Sequence, residues 1–571
     1  MAIFGIVMTN MKRFLNIFHR EINGIHQAAY LLGFFALLSQ ILALFRDRLL
    51  AASFGASQTL DIYYAAFRLP DLIFVSVASM VSISVLIPFM MDRLEENKEE
   101  TKRFVNAIST AFGLVMIATI TVAYFVIPHV TGYLFPGITD PLKEALLIKL
   151  ARLLLLSPLF LGISNLLASI TQLYKRFFLY ALSPVLYNAS IIFGIVFLYP
   201  HFGVTGVVYG VIIGAFLHFA IQIPFIFSTG LLPRPVLNFK WSEIKEVFLI
   251  SIPRTFTLSA NNIALIFVTA FASEMFAGSI SVFNFSLNLQ SVPLSIIGVS
   301  YSMAAFPTLA KLFSEGNRER FVEQVVVAAR HIVFLSMPVI ALFIVLRAQI
   351  VRTILGSGHF NWSDTRLTAA CLALFSFSLV AQSLNLLFVR AYYAGGNTKK
   401  PLYVNLATTI GDIGFPFLLI ILFNHSQFFQ YFIESLFKVD GVPGSIVLML
   451  PLGYSIGELA NLIVFWWFFE KDFGGFSRPL FRTIRQSFSA SVIMGFTAYS
   501  FLPFFASIFD INTVLGVFLQ GFLSGLMGIA MGVFIFIVLE NKEFIESYKA
   551  LHSRVWKTNN IIVAEQEDLL R

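Results

Sequence analysis

Charged residues are scarce in this sequence: Asp, Glu, Lys and Arg make up 12% of 571 residues, against about 25% in an ordinary soluble domain. So few charges cannot coat the water-facing surface of a chain this long, which excludes an ordinary cytosolic enzyme and a disordered protein. Cysteine is nearly absent as well. The single Cys371 removes disulfides and thiolate metal sites from consideration. The nine His residues show no HxxxH or HExxH spacing, so a zinc enzyme has no ligand set. A Walker A loop is also missing. Gly395-Gly396-Asn397-Thr398-Lys399-Lys400 lacks the GK[ST] ending and reads as a tight turn before Pro401. Transport by this chain would therefore draw on a gradient, the membrane potential or a partner.

What the chain has is apolar mass. Hydrophobic residues are 58% of it, 65 of them Phe, and the mean hydropathy is +0.82. These figures point to an all-α polytopic membrane protein, because each spanning helix needs roughly 20 apolar residues. The net charge of +8 would suggest nucleic acid in a soluble protein. Here it reads as basic loops facing anionic lipid, with no nucleic-acid partner.

Apolar runs between polar breaks give about fourteen expected spans. The first (27–54), second (62–91) and eighth (278–312) are too long to stand upright, so tilt, kinks or extension into the cytoplasm are expected. Pro70, Pro253, Pro293 and Pro338 fall inside spans and should bend them. Alternate internal loops, from Arg93–Arg103 through Lys471–Arg485, hold eighteen Lys and Arg, and the opposite loops hold six. This bias puts the basic loops and both termini in the cytoplasm. Residues 1–25 have Met11, Phe14, Leu15 and Phe18 opposite Lys12, Arg13 and Arg20. That pattern predicts an interfacial amphipathic helix rather than a cleaved signal peptide. The segment 541–571 reads as a short cytoplasmic tail.

The chain also resembles itself. Leu86-Ile87-Pro88-Phe89 and its charged loop recur as Ala305-Phe306-Pro307-Thr308 followed by Lys311–Arg320, and Asn165-Leu166-Leu167 recurs as Asn385-Leu386-Leu387. Landmarks in one order at a constant offset predict two related six-span lobes, 26–229 and 230–470, around a central cavity. The last two spans, 471–540, fall outside the repeat.

A charge at mid-bilayer is costly, about 2.5–3.5 kcal/mol on insertion scales, and normally faces a cavity. Arg330 and Arg390 lie near cytoplasmic span ends and are read as snorkelling, while Arg152 is open to either reading. Arg46 and Arg254 have apolar sequence on both sides and are expected to line a polar cavity. Asp47 can neutralise Arg46 or Arg48. Asp412 is either a coupling-ion site or a protonated, hydrogen-bonded carboxyl. Asn261-Asn262 and the run from Asn284 through Asn288 to Gln290 either line the cavity or bond between helices. A cationic cavity implies an anionic cargo, and Arg suits phosphate.

Arg46-Asp47-Arg48-Leu49-Leu50-Ala51-Ala52-Ser53-Phe54-Gly55-Ala56-Ser57, then Asp61 and Ala66-Phe67-Arg68-Leu69-Pro70-Asp71, resembles the opening signature of MurJ/MviN-type lipid II flippases. These belong to the multidrug/oligosaccharidyl-lipid/polysaccharide exporter superfamily. Pro184-Val185-Leu186-Tyr187-Asn188, the span with Gly206, Gly210 and Gly214, and Arg390-Ala391-Tyr392-Tyr393-Ala394 extend the resemblance over most of residues 27–470. It implies a flippase that carries a polyprenyl-pyrophosphate-linked glycopeptide, lipid II, across the bacterial inner membrane by alternating access, for peptidoglycan and cell-wall synthesis. It further implies a monomer without a cofactor, driven by a monovalent cation or the membrane potential. Arg46, Asp47, Asp61 and Arg68 match cavity positions of the family; Arg254 and Asn288 are added as substrate-binding candidates and Asp412 as an ion-coupling one. The last two spans would form a lipid-tail groove. Two departures stand out. Phe74-Val75-Ser76-Val77-Ala78-Ser79 replaces a pair of arginines followed by FAEGA, and Leu287-Asn288 replaces an Asp-Arg pair. Alternative cargoes are another polyprenyl-pyrophosphate glycan, or cationic drugs moved by cation coupling; scattered Asp140, His359 and Asp364 offer an enzyme little.

Overall fold

A bilayer offers backbone groups no water, so a chain that crosses it must satisfy its own N–H and C=O groups, as helices do. The computed structural model describes residues 25–236 and 241–555. Among the described residues the chain forms helices and short connections, with no strand. Among the described residues, eleven helices are long and apolar enough to cross a membrane, or twelve when the bent pair Trp362–Ser376 and Leu379–Ala394 counts as one span. These twelve coincide with the third to fourteenth expected spans. The first two expected spans begin with Ile25–Phe54 and Gln58–Ala78, which carry Arg46, Asp47 and Arg48, and Asp61, Arg68 and Asp71. The expected N-terminal amphipathic segment and the last residues of the tail lie outside the described residues.

The second expected span is not one helix. Gln58–Ala78 gives way to a 3-10 turn at Ser79–Val81, and Ser82 is extended before Ile83–Glu96 begins. Serine explains the break. The Ser79 hydroxyl bonds the Ser76 carbonyl at 3.2 Å, a local alternative to the helical ladder. The eighth expected span runs Ser279–Leu294, then a π segment at Ser295–Val299, then Ser300–Ser314. Pro293 lacks the N–H that would reach the Leu289 carbonyl, and the ladder slips to a wider turn just beyond it. Gln58–Ala78 and Arg318–Val345, by contrast, stay helical through Pro70 and Pro338.

Small residues let helices approach in lipid. A Cβ on Gly210 would stand 2.7 Å from the Gly194 Cα, and one on Gly206 would stand 2.4 Å from the Leu198 oxygen. The spacing of Gly206, Gly210 and Gly214 is thus a contact face.

The chain divides into two compact units. One comprises Met1–Leu289, Ile354–Phe375 and Thr398–Gly457; the other comprises Gln290–Thr353, Ser376–Asn397 and Glu458–Arg571. The first has a core around Phe104, Met116, Leu166, Ile170 and Val247. In the second, the buried Phe388 ring packs on Phe469 and Phe476 at 5.2 and 5.1 Å.

Candidate functional site

The charged side chains of Ile25–Phe54 and Gln58–Ala78 fall into three clusters within the first unit. In the first cluster Arg46 folds back on its neighbour. Its Nε and Nη2 donate to Asp47 Oδ1 at 3.0 and 2.8 Å. Nη1 donates to Asn188 Oδ1 at 3.1 Å, and Asn188 is itself held by Ser39 Oγ at 3.1 Å. The other Asp47 oxygen accepts the Asn288 amide at 2.9 Å. Arg46, Asp47 and Asn288 are therefore brought together, and Asp47 neutralises Arg46. Arg48 turns away and donates to the Ile354 carbonyl at 3.2 Å.

The second cluster is Arg68. Its Nε donates to Thr269 Oγ1 and its Nη2 to Asn284 Oδ1, both at 2.8 Å. Both partners are neutral. Among the described residues no carboxylate lies within ion-pair distance of Arg68, although Asp71, one turn on, acts on it at longer range. Tyr64 precedes Arg68 by one turn in the same helix, and its buried hydroxyl has no hydrogen-bond partner among the described residues. A cavity of about 20 Å³, room for about one water, borders Asp71, Ser157 and Tyr187.

In the third cluster Asp61 caps a helix more than two hundred residues away. Its carboxylate accepts the N–H groups of Gly278 at 2.6 Å and Ser281 at 2.7 Å, and the Ser281 hydroxyl at 2.6 Å. These amides open the Ser279–Leu294 helix, whose dipole favours an anion there. Backbones meet closely around this cap. Gly278 has φ +97°, and a Cβ there would stand 2.2 Å from the Ala56 oxygen; a Cβ on Gly137 would stand 1.8 Å from the Ser273 oxygen. The His359 amide donates to the Ala52 carbonyl at 3.0 Å.

Elsewhere the candidates separate. Asp412 is buried in Lys399–His425 against Gly457, where a Cβ would meet its Oδ1 at 2.2 Å. Arg254 belongs to Trp241–Ser273, and its side chain lies outside the described residues. Asn262 bonds its own helix at the Leu258 carbonyl, at 3.2 Å. Arg152 lies over the Tyr124 ring, 4.2 Å from its centroid, and is snorkelling in form. Arg330 differs from its expected reading. It forms a 2.5 Å ion pair with Glu543, which is 1% exposed and also accepts Thr483 at 2.9 Å. Asp140 and Asp364 start helices: Asp140 accepts the Leu142 amide, and Asp364 exchanges amide bonds with Asn361.

Sequence reasoning did not place Thr269 in the site, nor Asn188, although Asn188 sits in a quoted motif. Both share their helices with other polar residues, Asn188 with Ser183 and Ser190 and Thr269 with Ser259, Asn261 and Asn262, so neither stood out. The two departures from the family signature are filled by uncharged groups. Ser76 shares a hydrogen bond with Ser259 at 2.9 Å, Ser79 with Thr255, and Asn288 faces Asp47.

Comparison with known proteins places this geometry. The family described as Lipid II flippase MurJ matches residues 50–429. A probable lipid II flippase of Buchnera aphidicola subsp. Schizaphis graminum is 27% identical over 481 residues, 83% of this chain and 89% of that protein. The lipid II flippase of Burkholderia cenocepacia is 26% identical over 388 residues, 66% of this chain and 74% of that one. A solved structure of lipid II flippase MurJ in an inward closed conformation superposes with a TM-score of 0.70, at 22% identity, covering 91% of this chain and all of that one. An inward-facing multidrug transporter of the MATE family shares the fold at a TM-score of 0.61, covering 75% of this chain and 93% of that one. With two thirds of its length inside the family match, this multi-span membrane protein belongs to the MurJ lipid II flippase family.

Proposed function

We propose that the protein flips lipid II from the inner to the outer leaflet of a bacterial cytoplasmic membrane, with both termini cytoplasmic, and so supplies cell-wall synthesis. It acts as a transporter, not an enzyme. The observation that carries the reading is Arg68, a partly buried guanidinium held by a hydroxyl and an amide, with no carboxylate in ion-pair reach among the described residues. A charge kept in that condition within a membrane protein marks a ligand pathway. A pyrophosphate offers Arg68 a charge-assisted acceptor, stronger than the neutral ones it now has. Arg46 joins when the anion competes with Asp47 and Asn188, and the Tyr64 hydroxyl gains an acceptor. Arg254 adds charge from the Trp241–Ser273 helix.

The lobes 26–229 and 230–470 alternate access around this site, and the spans of 471–540 carry the prenyl tail. In the inward-open state Asp61, Gly278 and Ser281 hold the outer ends together. An anion in the site neutralises the arginines and lets that closure open. A negative-inside potential favours outward movement of an anion by about 2.3 kcal/mol per charge per 100 mV, and draws the empty cationic site back. Asp412 is the candidate for coupling a monovalent cation. The protein works as a monomer.

A second reading, another polyprenyl-pyrophosphate glycan, is favoured by the uncharged residues at Ser76 and Asn288. Complementation of a bacterium depleted of its lipid II flippase separates the two. Rescue by this protein and loss with Arg68→Met support lipid II. No rescue by a well-expressed, membrane-inserted protein shifts the cargo to the other glycan, and rescue by both proteins removes the role of Arg68.

A further inference from the structure

A short helix, Gln427–Phe437, follows one residue after the Lys399–His425 span. Its sequence is QFFQYFIESLF. Eleven residues make about 16 Å of helix, half of the roughly 30 Å of a hydrocarbon core, so it does not cross the membrane. Its amphipathicity is inverted relative to a helix on a water-washed surface. Phe428, Tyr431, Phe432 and Leu436 recur at helical spacing and are 81%, 69%, 51% and 57% exposed. Of the polar side chains, Gln430 and Glu434 are partly buried, while Gln427 near the start and Ser435 near the end are exposed. Glu434 accepts Gln430 at 3.0 Å and Ser445 at 2.6 Å, and Ile433 is buried beside them.

We propose that this helix lies in the outer membrane interface, with Phe428, Tyr431, Phe432 and Leu436 set among lipid chains. A helix that turns its one acidic side chain, Glu434, to the protein and presents aromatic rings outward is built for an apolar exterior. Aromatic side chains favour the headgroup level, where one end is apolar and the other wet. The face continues the exposed apolar residues Leu418, Ile421 and Leu422 of the preceding span. Polar side chains mark the water side: Asn424, His425, Lys438 and Asp440 are exposed at its two ends.

The helix is also fixed in place. Ser426 caps its start by accepting the Phe429 amide at 3.2 Å. Lys438 ends it in the left-handed region at φ 58°, and the Arg366 guanidinium holds the Lys438 carbonyl, with Nε at 2.9 Å. Val439 and Val442 behind it are buried. The helix sits at the opposite end of its span from the basic pair Lys399-Lys400, which places it in the outer leaflet. Residues 430–437 lie beyond the family match, which stops at residue 429. The inference does not depend on the cargo.

The lone buried Cys371 makes the test clean. In a Cys371→Ser background, with Cys371→Ala as a second, nitroxide labels are attached at Tyr431→Cys, Phe432→Cys, Leu418→Cys and Lys438→Cys. The labelled proteins are reconstituted in phosphatidylethanolamine/phosphatidylglycerol liposomes. Collision with oxygen, which concentrates in lipid, is compared with collision with a water-soluble nickel chelate. The proposal expects an oxygen-to-nickel ratio at 431 and 432 several-fold above that at 438 and below that at 418. Nickel-dominated collision at 431 and 432 overturns it, because the face is then in water. Exclusion of both reagents also overturns it, because the face is then covered by protein.

Discussion

At Arg330 the guanidinium meets a carboxylate from 213 residues along the chain, with Thr483 bonded to the same oxygen and only 1% of the Glu543 side chain exposed. At Arg46 the carboxylate comes from the next residue, and the remaining partner is an asparagine; at Arg68 there are only neutral acceptors. The first arrangement ties the helix Lys542–Val555 to a span through a built-in counter-charge. The second holds cations by groups that a stronger anion can displace. A partly buried arginine is therefore not one signal but two. What separates them is whether the counter-charge is already built in, and how firmly.

The comparison breaks most visibly at the clamp. Arg330→Ala strands a buried carboxylate and is expected to cost about 3–5 kcal/mol, read as a large fall in melting temperature in detergent. Arg330→Met with Glu543→Leu should recover most of it, and transport per folded molecule should persist. Arg68→Met is expected to do the reverse. Thr269 and Asn284 lose a donor but no charge is stranded, so melting falls far less than at the clamp, while loss of a charge-assisted bond of about 1.5–3 kcal/mol lowers transport on the order of 10- to 100-fold. Asp61→Ala removes the cap from the Gly278 and Ser281 amides, at about 0.5–2 kcal/mol for loss of a helix cap. Its mark is faster labelling of a cysteine at Ala56 by a membrane-impermeant thiol reagent. Tyr64→Phe is the smallest change. Its hydroxyl has no partner to lose among the described residues, so stability holds or rises by about 1 kcal/mol or less, while half-saturation by lipid II weakens several-fold.

The sequence made the spans legible because apolar runs of bilayer length have few other uses, and the twelve later ones were found in place. It also made Arg46, Asp47, Asp61 and Arg68 stand out, since charge in an apolar run is conspicuous. The partners were less visible. Asp61 meets Gly278 and Ser281, and Arg330 meets Glu543, through long-range packing that leaves no periodic trace along the chain. The break at Ser79–Val81 was hidden for a different reason. Ser76, Ser79 and Ser82 are tolerated inside spanning helices, and only the hydrogen bonds they make decide whether the helix continues. The Gln427–Phe437 helix is too short for a spanning window to register.

The most direct measurement is translocation of fluorescent lipid II in proteoliposomes, comparing the native protein, Arg68→Met and Arg330→Met/Glu543→Leu at matched incorporation. The account predicts flipping by the native protein and the clamp variant, and a loss of at least tenfold for Arg68→Met. Equal flipping by Arg68→Met and the native protein would contradict it, because the cationic site would then have no part in moving the cargo.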